Sequence, residues 1–204
     1  MQFSRLAGLV GGLLVSLPAF AAMAAPPAGW VKVETYGFTT YLPKDFREFS
    51  NKKSDPDKAP NQGSWGFMSP HATKKVWFRV SALQKGSLED AVKRSVGHML
   101  KNVTDPVKLS ESPIPLTAEK HDGMIVFYKG GVDAFSHSKQ ALGHYEHMII
   151  RGLLRMPDMG IQVAVTLMVR GGQHEKADEF FLALLQNTLA RPAKEALALK
   201  KAGK

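Results

Sequence analysis

The sequence predicts an α+β fold, a three-layer α/β/α sandwich built on a mostly antiparallel sheet. Three observations carry this. Ile161, Val163, Val165, Leu167 and Val169 alternate with Gln162, Ala164, Thr166, Met168 and Arg170, which is the period-two pattern of a strand. A second extended apolar run, His144 to Arg155, precedes it across Met156-Pro157-Asp158-Met159-Gly160, where Pro and Gly suit a tight turn. After Gly171-Gly172 the period becomes helical. Ala177, Phe180, Phe181, Leu184, Leu185 and Leu189 recur at three and four, and such a stripe has to cover a neighbouring sheet. Both alternate faces of the His144–Arg155 run are apolar, with Ile149 and Leu153 on one and Met148, Ile150 and Leu154 on the other. That is the reading of a central strand covered on both sides.

The chain has 204 residues, enough for one domain with a real core and no metal or disulfide staples. No internal repeat is visible, which excludes a solenoid. Residues 1–24 are expected to be a signal peptide, 25–191 a single α/β/α domain, and 192–204 a basic tail, a frayed helix or disordered.

Taken in order, Trp30 to Tyr36 reads as a first strand and Phe38 to Leu42 as a second, ended by Pro43. Asp45-Phe46-Arg47 is a turn. Ser50 to Gly63, rich in lysine, proline and Asp or Asn, is a polar loop by composition and a candidate functional element. Trp65 to Met68 and Lys75 to Leu83 follow as strands around Ser69-Pro70-His71-Ala72. Ser87 is placed as an N-cap with Asp90 as its capping-box partner. Leu88, Val92, Val96, Met99 and Val103 stripe the helix behind it, which Asp105-Pro106 closes. Pro113 and Pro115 confine the next segment to an edge strand or irregular structure. Gly123 to Lys129 is a strand, and Gly130-Gly131 lead into a connector from Asp133 to Gly143.

The leader has the three parts of a secretory signal: Arg5, the apolar run Leu6 to Leu17, and small residues after Pro18. Ala22-Met23-Ala24 is the best cleavage site, giving Ala25 as the new N-terminus; Ala19-Phe20-Ala21 is the second choice. The apolar run is too short to span a bilayer. The chain contains no cysteine, which removes disulfides, thiolate metal sites, cysteine nucleophiles and a lipid-anchored cysteine together. A soluble periplasmic or secreted protein is expected.

The formal net charge of +9 falls to +8 without Arg5, the one charged residue of the leader. Such a charge favours anionic partners, whether nucleic acid, acidic lipid headgroups or polyanionic cell-surface polymers, and the expected partner is an envelope protein or an anionic ligand. The lysines are spread over loops and strand edges, no nucleic-acid module is present, and export separates the protein from nucleic acid. Lys194, Lys200, Lys201 and Lys204 each add about 1 kcal/mol at an anionic membrane, but Leu197 and Leu199 are the tail's only large apolar anchors. Membrane contact is therefore weak and peripheral at most.

The run Tyr36-Gly37-Phe38-Thr39-Thr40-Tyr41-Leu42-Pro43-Lys44-Asp45-Phe46 resembles the opening hairpin of the PsbP-like superfamily: glycine, phenylalanine, strand, leucine-proline, aromatic. The helix opened by Ser87-Leu88-Glu89 and the closing strand and helix are similar in kind, and the element order agrees over roughly residues 30–190. Members of that superfamily are small α/β/α domains, among them a photosystem II extrinsic subunit, a nuclear Ran-binding import factor and exported bacterial proteins. The resemblance implies docking or ligand-binding surfaces in place of a shared reaction, and it supplies no catalytic residues.

His137, His144 and His147 fall close together with methionines nearby, and imidazole with thioether suits copper. On a strand, however, His144 and His147 point to opposite faces, and apolar-strand methionines are core filler. Ser136-His137-Ser138 places hydroxyls beside an imidazole, yet neighbours in sequence rarely aim at each other, and no G-x-S-x-G, H-E-x-x-H or P-loop is present. No cofactor and no catalytic residue is assigned. The expectation is an exported, non-enzymatic binding or accessory protein of the cell envelope, with His/Met metal handling or a hydrolase site assembled from distant residues as alternatives. Trp65 and Tyr145 are the candidate partner anchors, and the 50–63 loop and the 134–143 connector the candidate contact surfaces.

Overall fold

Alternation of apolar residues through the two closing strands fixes which face each side chain takes, and the rest of the sheet is in register with them. The computed structural model describes residues 25–53, 59–113, 122–135, 138, 140–171 and 176–201. The leader and its cleavage site, residues 54–58 of the polar loop, Pro115, Ser136, His137, Gly172 and residues 202–204 lie outside the described residues. The strands are β1 (Trp30–Glu34), β2 (Phe38–Pro43), β3 (Arg47–Lys53), β4 (Gly63–Met68), β5 (Lys74–Ala82), β6 (Thr104–Pro113), β7 (Asp122–Phe135), β8 (Ala141–Met156), β9 (Ile161–Arg170) and β10 (Leu189–Ala190). The helices are α1 (Leu88–Met99), α2 (Ala177–Gln186) and α3 (Ala193–Lys201).

Seven strands form one antiparallel sheet in the order β3-β4-β5-β9-β8-β7-β6. The expected β8–β9 hairpin is present from His147 opposite Arg170 to Met156 opposite Ile161. It turns through Pro157–Met159, and Gly160 adopts the left-handed conformation (φ 62°) that glycine tolerates best. Val163, Val165, Leu167 and Val169 of β9, fully buried, join Ile150 and Leu154 of β8 and Val76 and Phe78 of β5 on one face. Phe181 and Leu184 of α2 close over that face, each buried apolar side chain contributing about 1.5–3 kcal/mol. On the opposite face α1 packs Ala91, Val92 and Val96 against Val126, Leu153 and Ala164. The mixed α+β layering is as expected: helix, large sheet, helix.

Helix α1 begins where its residues demand. The Ser87 hydroxyl accepts from the Asp90 amide at 3.1 Å, and the Asp90 carboxylate accepts from the Ser87 amide at 3.4 Å. It ends earlier than expected, at Met99, followed by a single tight turn over Leu100–Asn102. Asp105-Pro106 does not close the helix; it lies inside β6 at a register shift, with Asp105 at φ 48°. Proline has no amide to lend a ladder, which is why this strand is the sheet's edge.

Four further differences arise from pairing and side-chain contacts that local pattern does not announce. Strands β1 and β2 do not join the large sheet but form a small one with β10, in the order β1-β2-β10. Residues 47–53 are a strand, not a turn and the start of a loop, because β4 pairs with them from Met68 to Gly63. Strands β7 and β8 run on through Gly130-Gly131 and most of the expected connector, pairing as far as Phe135 and Ala141. Gly131 has to be small there, since the His144 ring lies against it. Helix α2 stops at Gln186. The Asn187 side chain donates to the Ala183 carbonyl at 2.8 Å and the Thr188 hydroxyl to the Leu184 carbonyl at 2.7 Å. Thr188 also bonds Thr40 at 2.9 Å, which turns the chain onto β2. Leu189 is therefore not on the helical stripe; it sits in β10, 48 % exposed.

The tail is helical over Ala193–Lys201. Arg191 anchors it by donating to the Thr35 carbonyl at 2.8 Å and to the Thr39 hydroxyl at 2.9 Å, while Ala196 is fully buried. Among the described residues no helix is long and apolar enough to cross a membrane.

Candidate functional site

Period-two geometry puts Lys75, Trp77 and Arg79 of β5 on the α1 side of the sheet, in rows with Met168, Thr166 and Ala164 of β9 and with Ile149, Arg151 and Leu153 of β8. His147 and Arg170 extend the same face toward the far end of the β7–β8 ribbon. Basic side chains thus line a face whose apolar half is already taken by α1.

Arg151 occupies the middle of this face and is 8 % exposed. Its Nε and Nη2 donate to the Ser95 hydroxyl of α1 at 3.0 and 2.9 Å, and its Nη1 donates to the Thr166 hydroxyl. No carboxylate pairs with it among the described residues. Burial, and then the charge of Arg79, pull its pKa down to about 10. His98, on the last turn of α1, is held below the ordinary histidine range first by desolvation and then by Arg79, Lys101 and Arg151. Phe49 stands edge-on to Trp77 with ring centroids 4.5 Å apart, over Gly66, where a side chain would not fit.

At the ribbon end the Lys75 ammonium, largely buried, donates to the Asp133 carbonyl at 3.2 Å and lies 5.5 Å from the Phe135 ring centroid. Desolvation lowers its pKa, Asp133 raises it and Arg170 lowers it. The Arg170 guanidinium stands 4.7 Å over the Tyr145 ring. The Tyr145 hydroxyl donates to the Leu142 carbonyl at 2.8 Å.

The structure separates the residues that the sequence singles out. Trp65, a candidate surface anchor, is 1 % exposed and packs edge-on to Phe38 at 5.1 Å, so it is core and offers no surface. Tyr145 is 39 % exposed and does present a ring. His144 is exposed, with Nδ1 2.9 Å from Asp133 Oδ1. His147 lies on the other face of β8, 1 % exposed, and its Nδ1 is 2.8 Å from the Tyr145 carbonyl oxygen. A carbonyl only accepts, so Nδ1 carries the proton, and the buried Nε2 has no hydrogen-bond partner. Burial is the largest cause that lowers the His147 pKa, with Lys75, Arg170 and His144 adding to it against the hydrogen bond to Tyr145. The two histidines do not converge, and no group of three or more metal-ligating side chains gathers among the described residues.

Sequence reasoning missed Arg151, Lys75 and Arg79 as a group. Arg151 could have been noticed, since it interrupts the apolar run Met148-Ile149-Ile150-Arg151-Gly152-Leu153-Leu154 at a central-strand position. Its partner Ser95 is 56 residues away in sequence, and no local pattern announces that contact.

Comparison with protein-family models and with curated proteins returns no match. Solved structures do match. The solution structure of PsbP from the cyanobacterium Synechocystis superposes with a TM-score of 0.50 at 8 % identity, covering 84 % of this chain and 98 % of that one. The Ran-binding protein Mog1p of Saccharomyces cerevisiae gives 0.47 at 14 % identity, over 82 % and 88 %. A Pseudomonas aeruginosa protein of unknown function gives 0.45 at 12 % identity, over 80 % and 98 %. At such identity the likeness is one of architecture, and it agrees with the layers and the large antiparallel sheet described above: the chain shares the fold of that cyanobacterial PsbP.

Proposed function

We propose that this protein is an exported, non-enzymatic accessory protein of the bacterial cell envelope that docks an acidic segment of a partner protein. The observation that carries the reading is the far end of the β7–β8 ribbon. Tyr145 and Phe135, 39 % and 40 % exposed, each present a ring beside a cation, Arg170 and Lys75 respectively. An aromatic ring fixed by a cation is a rigid anchor that loses little entropy on binding, and the cations favour carboxylates. Export is supported by the leader.

The test has two arms. Expressed in a bacterial host with its leader intact, the chain is expected in the periplasmic fraction, beginning at Ala25. A photocrosslinking residue at position 145 is expected to give a discrete protein adduct that Arg170→Glu abolishes, whereas one at Val31, exposed on the small sheet, gives none. Equal yield from both positions, or an adduct indifferent to Arg170→Glu, rules out the ribbon end as the docking surface.

A further inference from the structure

Buried arginines in folded proteins are held by carboxylates, because an unpaired charge out of water costs several kcal/mol. Arg151 departs from this. It is nine-tenths buried, three of its five N–H donors are spent on the hydroxyls of Ser95 and Thr166, and one N–H on each of Nη1 and Nη2 is left over. Thr166 lies on β9, between β8 and β5. The guanidinium therefore reaches across the sheet toward β5, where Arg79 stands exposed in the adjoining row. His98 comes in from the last turn of α1, three residues beyond Ser95 and so on the same side of the helix.

Three cationic or cationisable groups thus meet from three separate elements. No ion pair joins Arg79 or Arg151 to an acid among the described residues. The acids of α1, Glu89 and Asp90, stand in its first turn, at the other end of the helix from His98, and Asp90 is engaged with Ser87. The helix C-terminus accounts for some of the positive charge nearby, since its carbonyls favour cations. It does not account for Arg151, whose bonds go to a side-chain hydroxyl a full turn before the helix ends. A guanidinium with parallel donors to spare, a second arginine and a histidine make the donor set that a tetrahedral dianion satisfies.

We propose that Arg151, Arg79, His98 and Ser95 form a binding site for an oxyanion of the phosphate class, between the last turns of α1 and the β5–β9–β8 face. Free phosphate and the phosphate monoester of a lipid headgroup share this chemistry. The site goes beyond the proposed docking function and lies away from the ribbon end, so either can fail without the other.

The experiment is titration of the purified full chain with inorganic phosphate at constant ionic strength, followed by calorimetry and by amide shifts. Saturable binding is expected, weakened about tenfold or more in Arg151→Met and in Arg79→Ala, and unchanged in Lys108→Ala on the edge strand. Arg79 is exposed, so its variant decides the matter if Arg151→Met does not fold. Sedimentation with phosphatidic acid vesicles, competed by phosphate, identifies a headgroup as the source; vesicles without effect identify the free ion. No saturable phosphate binding, or binding indifferent to the arginine variants, overturns the site. The position-145 crosslink persisting in Arg151→Met leaves the docking surface standing.

Discussion

Both Nε and Nη2 of Arg151 donate to the one hydroxyl of Ser95, at 3.0 and 2.9 Å, and so tie the centre of β8 to the helix above it. A buried guanidinium with three hydrogen bonds tolerates burial; one stripped of its main acceptor does not. Ser95→Ala is therefore expected to lower stability by about 1–3 kcal/mol. In the Arg151→Met background the same substitution is expected to cost little, since the donors that needed the hydroxyl are gone. A urea-denaturation double-mutant cycle measures the difference, and additive losses contradict the tie.

Gly152 is where α2 meets the sheet. A Cβ there would stand 3.1 Å from Phe181 Cζ and 3.4 Å from a Leu185 methyl, both buried in the core. Gly152→Val is expected to destabilise by about 1–3 kcal/mol through overpacking. Thermal unfolding gives the value, and an unchanged midpoint would mean that α2 does not press on β8.

Trp65 fills the space left by two glycines, Gly37 and Gly63, beneath the β2 hairpin. At Gly63 an added Cβ would lie 2.8 Å from its ring and 2.7 Å from the Lys52 carbonyl oxygen. Trp65→Ala is expected to cost about 3–5 kcal/mol, as a large core truncation. Were Trp65 a surface anchor, the loss would be within half a kcal/mol and partner binding would suffer instead.

His147 makes stability depend on pH with a definite sign. Its folded-state pKa is depressed below the ordinary histidine value of about 6.5, so the unfolded chain takes up the proton first. Stability is complete above about pH 6.5 and declines as the pH falls toward the folded pKa, by at most about 1.4 kcal/mol per pH unit. Replacing His147 by Phe removes that slope. A variant whose stability declines as steeply between pH 6.5 and 5 as the parent's shows that other groups are responsible.

Much of the fold was written in local pattern. The alternation in Ile161–Arg170, the turn at Pro157–Gly160 and the Ser87–Asp90 cap all depend on near neighbours, and each appears where the residues place it. The long reach of β7 and β8 was not legible, because Gly130 and Gly131 read as a break until a paired strand supplies their hydrogen bonds. The candidate site was less legible still. Tyr145 could be named from its residue type, but Arg151, Arg79 and His98, which the proposed oxyanion site joins, belong to three separate elements.

By itself the sequence determined the alternation of faces, the caps and turns, the lack of cysteine and the positive charge, since each is a property of a residue and its near neighbours. Tertiary structure alone decided that β1 and β2 leave the main sheet, that Trp65 is core and that Arg151 has hydroxyls for partners. The physical reason is that burial and pairing belong to contacts between distant segments, and their energy exists only once those segments meet.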